Sequence, residues 1–195
     1  YYPEKELLVR NIEAFMDHVD KVLIWENTTS KAELYRFVHH EKVEYCRDGV
    51  NSISRALNYA WRYAKSNGYT HLLTMDQDSI WEDFETYIDR TILNPDAPYG
   101  IYGPNVSNKT YKEKFHCQDL ITSGMLVPIK ILSEVGGYNE FFRVDGIDLY
   151  FCYSVREHGY ETYMIPECGL NQRFGRKDKQ TFSFLKFSTY HYSPT

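Results

Sequence analysis

Leu72-Leu73-Thr74-Met75-Asp76-Gln77-Asp78-Ser79 is an apolar run that ends in two carboxylates spaced i, i+2 and then a hydroxyl. In an extended backbone alternate side chains leave the same face, so the spacing predicts that Asp76 and Asp78 aim at one point beyond the carboxyl end of a buried strand. Open α/β sheets bind their ligands at that end. Two converging acids suit a hard divalent cation, Mg²⁺ or Mn²⁺, that keeps open positions for diphosphate oxygens. A solvated turn after a buried strand is the alternative reading of the same residues.

On either side of this segment strands alternate with helices. Pro3 and Glu4, followed by Leu7, Leu8, Ile12, Phe15 and Met16 at helical spacing, describe a first amphipathic helix whose apolar stripe covers a sheet. Val22-Leu23-Ile24-Trp25 is a short buried strand that delivers Glu26-Asn27-Thr28-Thr29-Ser30 at its carboxyl end, the same logic as at Asp76. Val43-Glu44-Tyr45-Cys46 is a third strand, and Ile53, Ala56, Leu57, Ala60, Trp61 and Ala64 mark a helix stopped by Asn67-Gly68. This alternation implies a parallel, right-handed βαβ sheet.

Beyond Asp78 the expectations are a helix over 81–93, a loop over 94–98 and a strand at 101–103. A polar loop or irregular hairpin over 105–118 faces the site. Strand character resumes over 120–128. A helix over 129–135 ends at Gly136-Gly137, a second over 145–158 ends at Gly159, and a strand follows over 160–165. The chain has no internal repeat and no low-complexity segment.

Composition sets the outer limits. A chain of 195 residues is long enough for one well-buried domain, and the length prior argues against two. No apolar stretch approaches the roughly 20 residues of a membrane-spanning helix. A formal charge of −5 opposes non-specific nucleic-acid binding, which needs clustered Lys and Arg. The short patch Arg173-Phe174-Gly175-Arg176-Lys177 reads as a solvated loop, with a diphosphate or an anionic membrane surface as alternative partners. Cys46, Cys117, Cys152 and Cys168 lack C-x-x-C spacing, which disfavours a zinc site and fits inert thiols in a reduced, cytoplasmic setting. Aromatics at 16% serve either packing or a surface that stacks on sugar rings and bases. Neither end resembles a signal peptide, and both read as cut from a longer protein.

A second acidic cluster lies in Phe141-Phe142-Arg143-Val144-Asp145-Gly146-Ile147-Asp148-Leu149. Asp145 and Asp148, three apart at the opening of a helix, share a face. They serve either as caps that complement the helix dipole or as a general base that takes the proton of an attacking hydroxyl.

Taken together, Leu73-Thr74-Met75-Asp76-Gln77-Asp78-Ser79, Ser123-Gly124, Glu134-Val135-Gly136-Gly137-Tyr138-Asn139-Glu140 and Val144-Asp145-Gly146-Ile147-Asp148-Leu149-Tyr150-Phe151-Cys152, with Gly159-Tyr160, resemble glycosyltransferase family 2. The likeness is to bacterial rhamnosyltransferase-like members and covers nearly the whole chain. It implies a GT-A fold, Rossmann-like, with a mostly parallel sheet flanked by helices in a single domain, 1–103 binding the nucleotide and 104–195 the acceptor. It also implies an inverting transfer of a sugar from a dTDP- or UDP-linked donor to a hydroxyl of a saccharide or lipid-linked saccharide in surface polysaccharide synthesis. Such an enzyme works at the cytoplasmic face of the membrane, with peripheral membrane association possible.

By the same resemblance Glu26, Asn27, Asp76 and Gln77 sit near the nucleotide, Asp78 with Asp76 holds the metal, and Ser123 and Gly124 help form the sugar and acceptor pocket. Asp145 matches the catalytic base, with Asp148 orienting it or touching the acceptor. The family's opening apolar strand and its Arg-x-Tyr-Tyr continuation are expected to be cut off, and within its length the chain departs from the family pattern in three places. Glu26-Asn27-Thr28-Thr29 replaces an Asp-Asn-Gly-Ser turn, and Ser52-Ile53-Ser54 replaces Gly-Ile-Ala. Asn171 or Gln172 stands where a histidine is usual near the diphosphate and metal. A metal-dependent nucleotidyl or phosphoryl transferase and a catalytically decayed nucleotide-sugar binding module are the competing classes. The first lacks its usual G-x-x-x-x-G-K-[ST] loop here, while Asn171 and Ser52 favour the second.

Overall fold

The computed structural model describes residues 3–27, 36–106, 115–116, 119–172, 176–182 and 185–191. Thr28, Thr29 and Ser30, Cys117, Arg173-Phe174-Gly175, most of the 105–118 segment and both chain ends lie outside the described residues.

In chain order the elements are α1 (Lys5–Glu13), a 3-10 turn (Met16–His18), β1 (Val22–Trp25), β2 (Val43–Cys46), α2 (Ile53–Ser66), β3 (His71–Thr74), β4 (Ser79–Trp81) and α3 (Phe84–Arg90). There follow β5 (Gly100–Asn105), β6 (Phe115–His116), β7 (Met125–Pro128), α4 (Ile129–Val135), α5 (Ile147–Glu157), β8 (Glu161–Gln172), β9 (Arg176–Phe182) and β10 (Leu185–His191).

The strands are mixed in direction rather than mostly parallel. β1 and β2 pair in parallel, as do β5 and β8, whereas β3–β7, β5–β7 and β4–β8 are antiparallel. The central path runs β3-β7-β5-β8-β4 with β6 on β8, and β9 with β10 forms a separate hairpin. The expected helix over 81–93 is instead β4 followed by the shorter α3. Asp83 caps α3, its carboxylate accepting from the Thr86 amide at 2.9 Å.

The core divides along the pleat of this sheet. Tyr102 and Leu126 pack with Leu8, Ile12, Trp81, Phe84, Ile165 and Leu170 on the α1 side. Their chain neighbours Ile101, Met125 and Val127 pack with Ile131, Leu132, Phe151 and Val155 on the α4–α5 side. A strand buried on both faces needs apolar residues at successive positions, which is why Met125-Leu126-Val127 shows no polar alternation. Cys46, Cys152 and Cys168 are free, buried thiols. Among the described residues no helix is long and apolar enough to cross a membrane.

Candidate functional site

Asp76 and Asp78 do not lie on an extended strand. β3 ends at Thr74 and β4 begins at Ser79, and the acids occupy the turn between them, closed by the Ser79 amide donating to the Asp76 carbonyl at 3.4 Å. Their convergence therefore comes from a reversal of the chain and not from the two-residue period of a strand.

Four residues hold this turn. The amide of Asp76 donates to Ser123 Oγ at 3.1 Å, and that hydroxyl donates onward to Ser79 Oγ at 2.7 Å. Ser123 is 0% exposed, so its hydroxyl serves the turn from behind. The Gly124 amide donates to the Thr74 carbonyl at 2.7 Å, and the Thr74 hydroxyl donates to the Thr122 carbonyl. Gly124 has φ +80°, and a Cβ there would meet Pro104 Cγ at 2.6 Å, which leaves room for glycine alone. From α1, Asn11 Nδ2 donates to the Asp76 carbonyl at 2.7 Å.

The fourth support is Gln172. The β4–β8 register sets Gln172 opposite Ser79, and its Nε2 donates to Asp76 Oδ2 at 2.9 Å. Asn171 leaves the other face of β8 and donates to Glu82 Oε1 at 2.9 Å. Of the two amides in the histidine's place, Gln172 is thus the one at the acid turn.

The electrostatics mark Asp76 out. Burial first, then the negative charges of Asp78 and Asp148, push its carboxyl up to about 6. Asp148, in the first turn of α5, is the partner that reaches the turn electrostatically; it is half-buried, and Asp145 is exposed. The amide of Leu149 donates to Asp148 Oδ1 at 2.9 Å. Gly146 stands at the start of α5 with φ +77°, so the expected helix start at Asp145 moves two residues on.

The segment before α5 is tied to α2. Ile53 N donates to the Arg143 carbonyl at 2.7 Å, Asn58 Nδ2 donates to the Tyr138 carbonyl at 2.8 Å, and the Tyr138 amide donates back to Asn58 Oδ1 at 2.8 Å. Gly137, at φ +81°, packs so closely on α2 that a Cβ would meet Asn58 Oδ1 and Trp61 Cζ3 at 2.6 Å. Elsewhere Glu26 is buried, with its amide donating to the Cys46 carbonyl at 2.8 Å. Asn27 accepts from the Ser52 amide at 3.2 Å, and Gln77 is half-buried in the acid turn.

Among the described residues no three His, Cys, Asp or Glu side chains form a ready-made metal cage. The donor set nevertheless fits a hard cation that keeps substrate and water ligands. Asp76 and Asp78 supply anionic oxygens, with Asp148 adding negative potential. Asn11 Oδ1 and Gln172 Oε1, on the two amides bonded to Asp76, are buried oxygens without a hydrogen-bond partner among the described residues.

Asn11 is not among the expected site residues, and Gln172 is expected only as one of two amides in the place of the histidine. Asn11 carried a signal: it falls on the apolar stripe between Leu8 and Phe15, where a polar residue buried to 2% exposure needs a partner.

No family model matches the chain. It is 25% identical over 200 residues to the dTDP-rhamnosyl transferase RfbF of Shigella flexneri, across 91% of this chain and 68% of that protein. Among solved structures it is similar to GalNAc-T7 with UDP, GalNAc and Mn²⁺, at a TM-score of 0.67 and 10% identity over 85% of this chain. It is also similar to the mannosyltransferase PcManGT from Pyrobaculum calidifontis with GDP-Man and Mn²⁺, at a TM-score of 0.64 and 14% identity over 87% of this chain. The chain spans 41% and 54% of the lengths of those two proteins. The fold is that of the GT-A glycosyltransferases, and the resemblance to rhamnosyltransferase-like proteins read from the motifs is borne out.

Proposed function

We propose that this chain is the GT-A domain of a glycosyltransferase that moves a sugar from a nucleoside diphosphate to a hydroxyl of a saccharide, with inversion at the anomeric carbon. The observation that carries the reading is the acid turn: a carboxylate raised to about 6 by burial and by two neighbouring acids, held from three parts of the chain just beyond β3. Similarity to a dTDP-rhamnosyl transferase favours dTDP-rhamnose as donor, with a UDP-linked hexose as the alternative. The acceptor is a saccharide or lipid-linked saccharide of a surface polysaccharide, met at the cytoplasmic face of the membrane. Residues 1–103 bind the nucleotide, and 104–195 bind the reacting end of the acceptor.

In this reading Asp76 and Asp78 hold Mg²⁺ or Mn²⁺. When bound, the ion supplies positive charge to the diphosphate leaving group. Glu26, Asn27 and Gln77 bound the nucleotide. Ser123 and Gly124 fix the floor beneath the sugar by holding the turn. Asp145, which is exposed, takes the proton from the acceptor hydroxyl as that oxygen attacks the anomeric carbon and the diphosphate departs. Asp148, inward of Asp145, keeps negative potential on the side where positive charge develops on the sugar ring.

Calorimetric titration of dTDP and of UDP, with and without Mn²⁺ or Mg²⁺, tests the reading. Metal-dependent binding of one nucleotide that is lost in Asp78→Asn is expected. Nucleotide binding that ignores both the metal and Asp78 would overturn the metal assignment, and transfer without any nucleotide donor would overturn the activity.

A further inference from the structure

A cavity of about 550 Å³ opens where β1, β2 and α2 meet, and it shares no residue with the acid turn. Its size falls in the range of about 300–1,000 Å³ typical of small-ligand sites. Trp25 stands opposite Cys46 in the parallel β1–β2 register, so both side chains leave one face there. On α2, Arg55, Tyr59 and Arg62 recur at i, i+4 and i+7 and share one side of the helix.

The rings of Trp25 and Tyr59 meet with centroids 5.0 Å apart at 51°, forming a tilted aromatic floor. Arg55 pairs with Asp48 at 2.8 Å to make one wall, and Arg62 faces Glu140 at 3.9 Å on another. Glu140 is steadied by Asn58 Nδ2 at 3.0 Å. The indole N–H of Trp25 is a buried donor without a hydrogen-bond partner among the described residues.

Charge decides the class of occupant. Arg47 adds a third cation to the lining and Glu44 a third anion, so the cavity carries no net charge and offers a diphosphate no advantage. Aromatic faces beside guanidinium and carboxylate forks match a neutral ring with an apolar C–H face and a rim of hydroxyls. We propose that this cavity is a saccharide site, distinct from the acid turn, that holds a neutral sugar unit of the acceptor chain. The choice of a saccharide rests on the glycosyltransferase reading; the geometry of the cavity stands without it.

Saturation-transfer NMR with a panel of neutral oligosaccharides, two to six hexose or 6-deoxyhexose units long, tests it on the wild-type chain, Tyr59→Ala and Arg62→Ala. Parallel titrations use dTDP and UDP with Mn²⁺. Both substitutions are expected to weaken oligosaccharide binding about tenfold and to leave nucleotide affinity within about twofold. Arg62 is largely exposed, so its variant reads binding even where Tyr59→Ala disturbs packing. Oligosaccharide binding unchanged in both variants, or no oligosaccharide bound by the wild type, overturns the proposal. A tenfold fall in nucleotide affinity also overturns it, by making the cavity part of the nucleobase pocket. Failure of the glycosyltransferase reading is separate: the wild type then binds neither nucleotide and transfers no sugar.

Discussion

The two acidic segments are built in opposite ways. The turn at Asp76 and Asp78 is held by Asn11, Ser123, Gly124 and Gln172 from three parts of the chain, and its central carboxylate is pressed against like charge. The segment before α5 is open: Asp145 and Val144 are exposed, and Phe141 is 84% exposed. A rigid end suits a cation and a diphosphate, whose geometry is fixed in advance of the reaction. An open end suits an acceptor that must arrive, react and leave.

The largest test of this contrast is Asp145→Asn, which is expected to lower turnover by about 10²–10⁴-fold. Nucleotide affinity should stay within twofold by calorimetry. A variant with near wild-type turnover removes Asp145 as the base and turns attention to Asp148.

The next test concerns stability against pH. The folded carboxyl of Asp76 is raised from 3.8 to about 6, so its contribution to stability is fully present below about 3.8 and is lost as pH rises through about 6. Across that window the metal-free wild type should lose about 3 kcal/mol relative to Asp76→Asn. Thermal unfolding of both proteins at pH 3.5 and 7.5 measures it; parallel curves would mean that the acid turn is not strained.

Ser123→Ala removes the acceptor of the Asp76 amide and should cost about 1–3 kcal/mol, with weaker metal-dependent nucleotide binding. Denaturant midpoints read the first effect and calorimetry the second. At the small end, Phe141→Ala in the open segment should shift stability by less than about 0.5 kcal/mol in the same denaturant series. A larger loss there would mean that the segment is as tightly built as the acid turn.

Much of the fold is legible in the sequence because burial there follows simple periods. Val22–Trp25, Val43–Cys46, the start of α2 at Ile53 and α4 at Ile129–Val135 all fall where the patterns place them. β4 was hidden because three residues are too few to show alternation beside the strong helical signal of Phe84, Tyr87 and Ile88. The reach of β8 to Gln172 was hidden by Pro166 and Gly169, which argue locally against a strand; tertiary pairing with β5 and β4 overrides them, with a register shift at Asn105. The two acids are legible from their composition and spacing, but the same letters fit an extended strand end and a turn, and the chain takes the turn. Gln172 lies 96 residues from Asp76, and no local pattern encodes such a meeting.

Gly137 is wedged against Asn58 and Trp61, and the Arg143 carbonyl accepts from the Ile53 amide, so both ends of the 137–143 span are pinned to the same helix. The length of that span is therefore set by a helix some eighty residues earlier in the chain, about two turns apart at its two anchors. Its side chains are free to vary, while an inserted or deleted residue there would shift Asp145 and strain the first turn of α2 together. The segment is permissive in letters and strict in count.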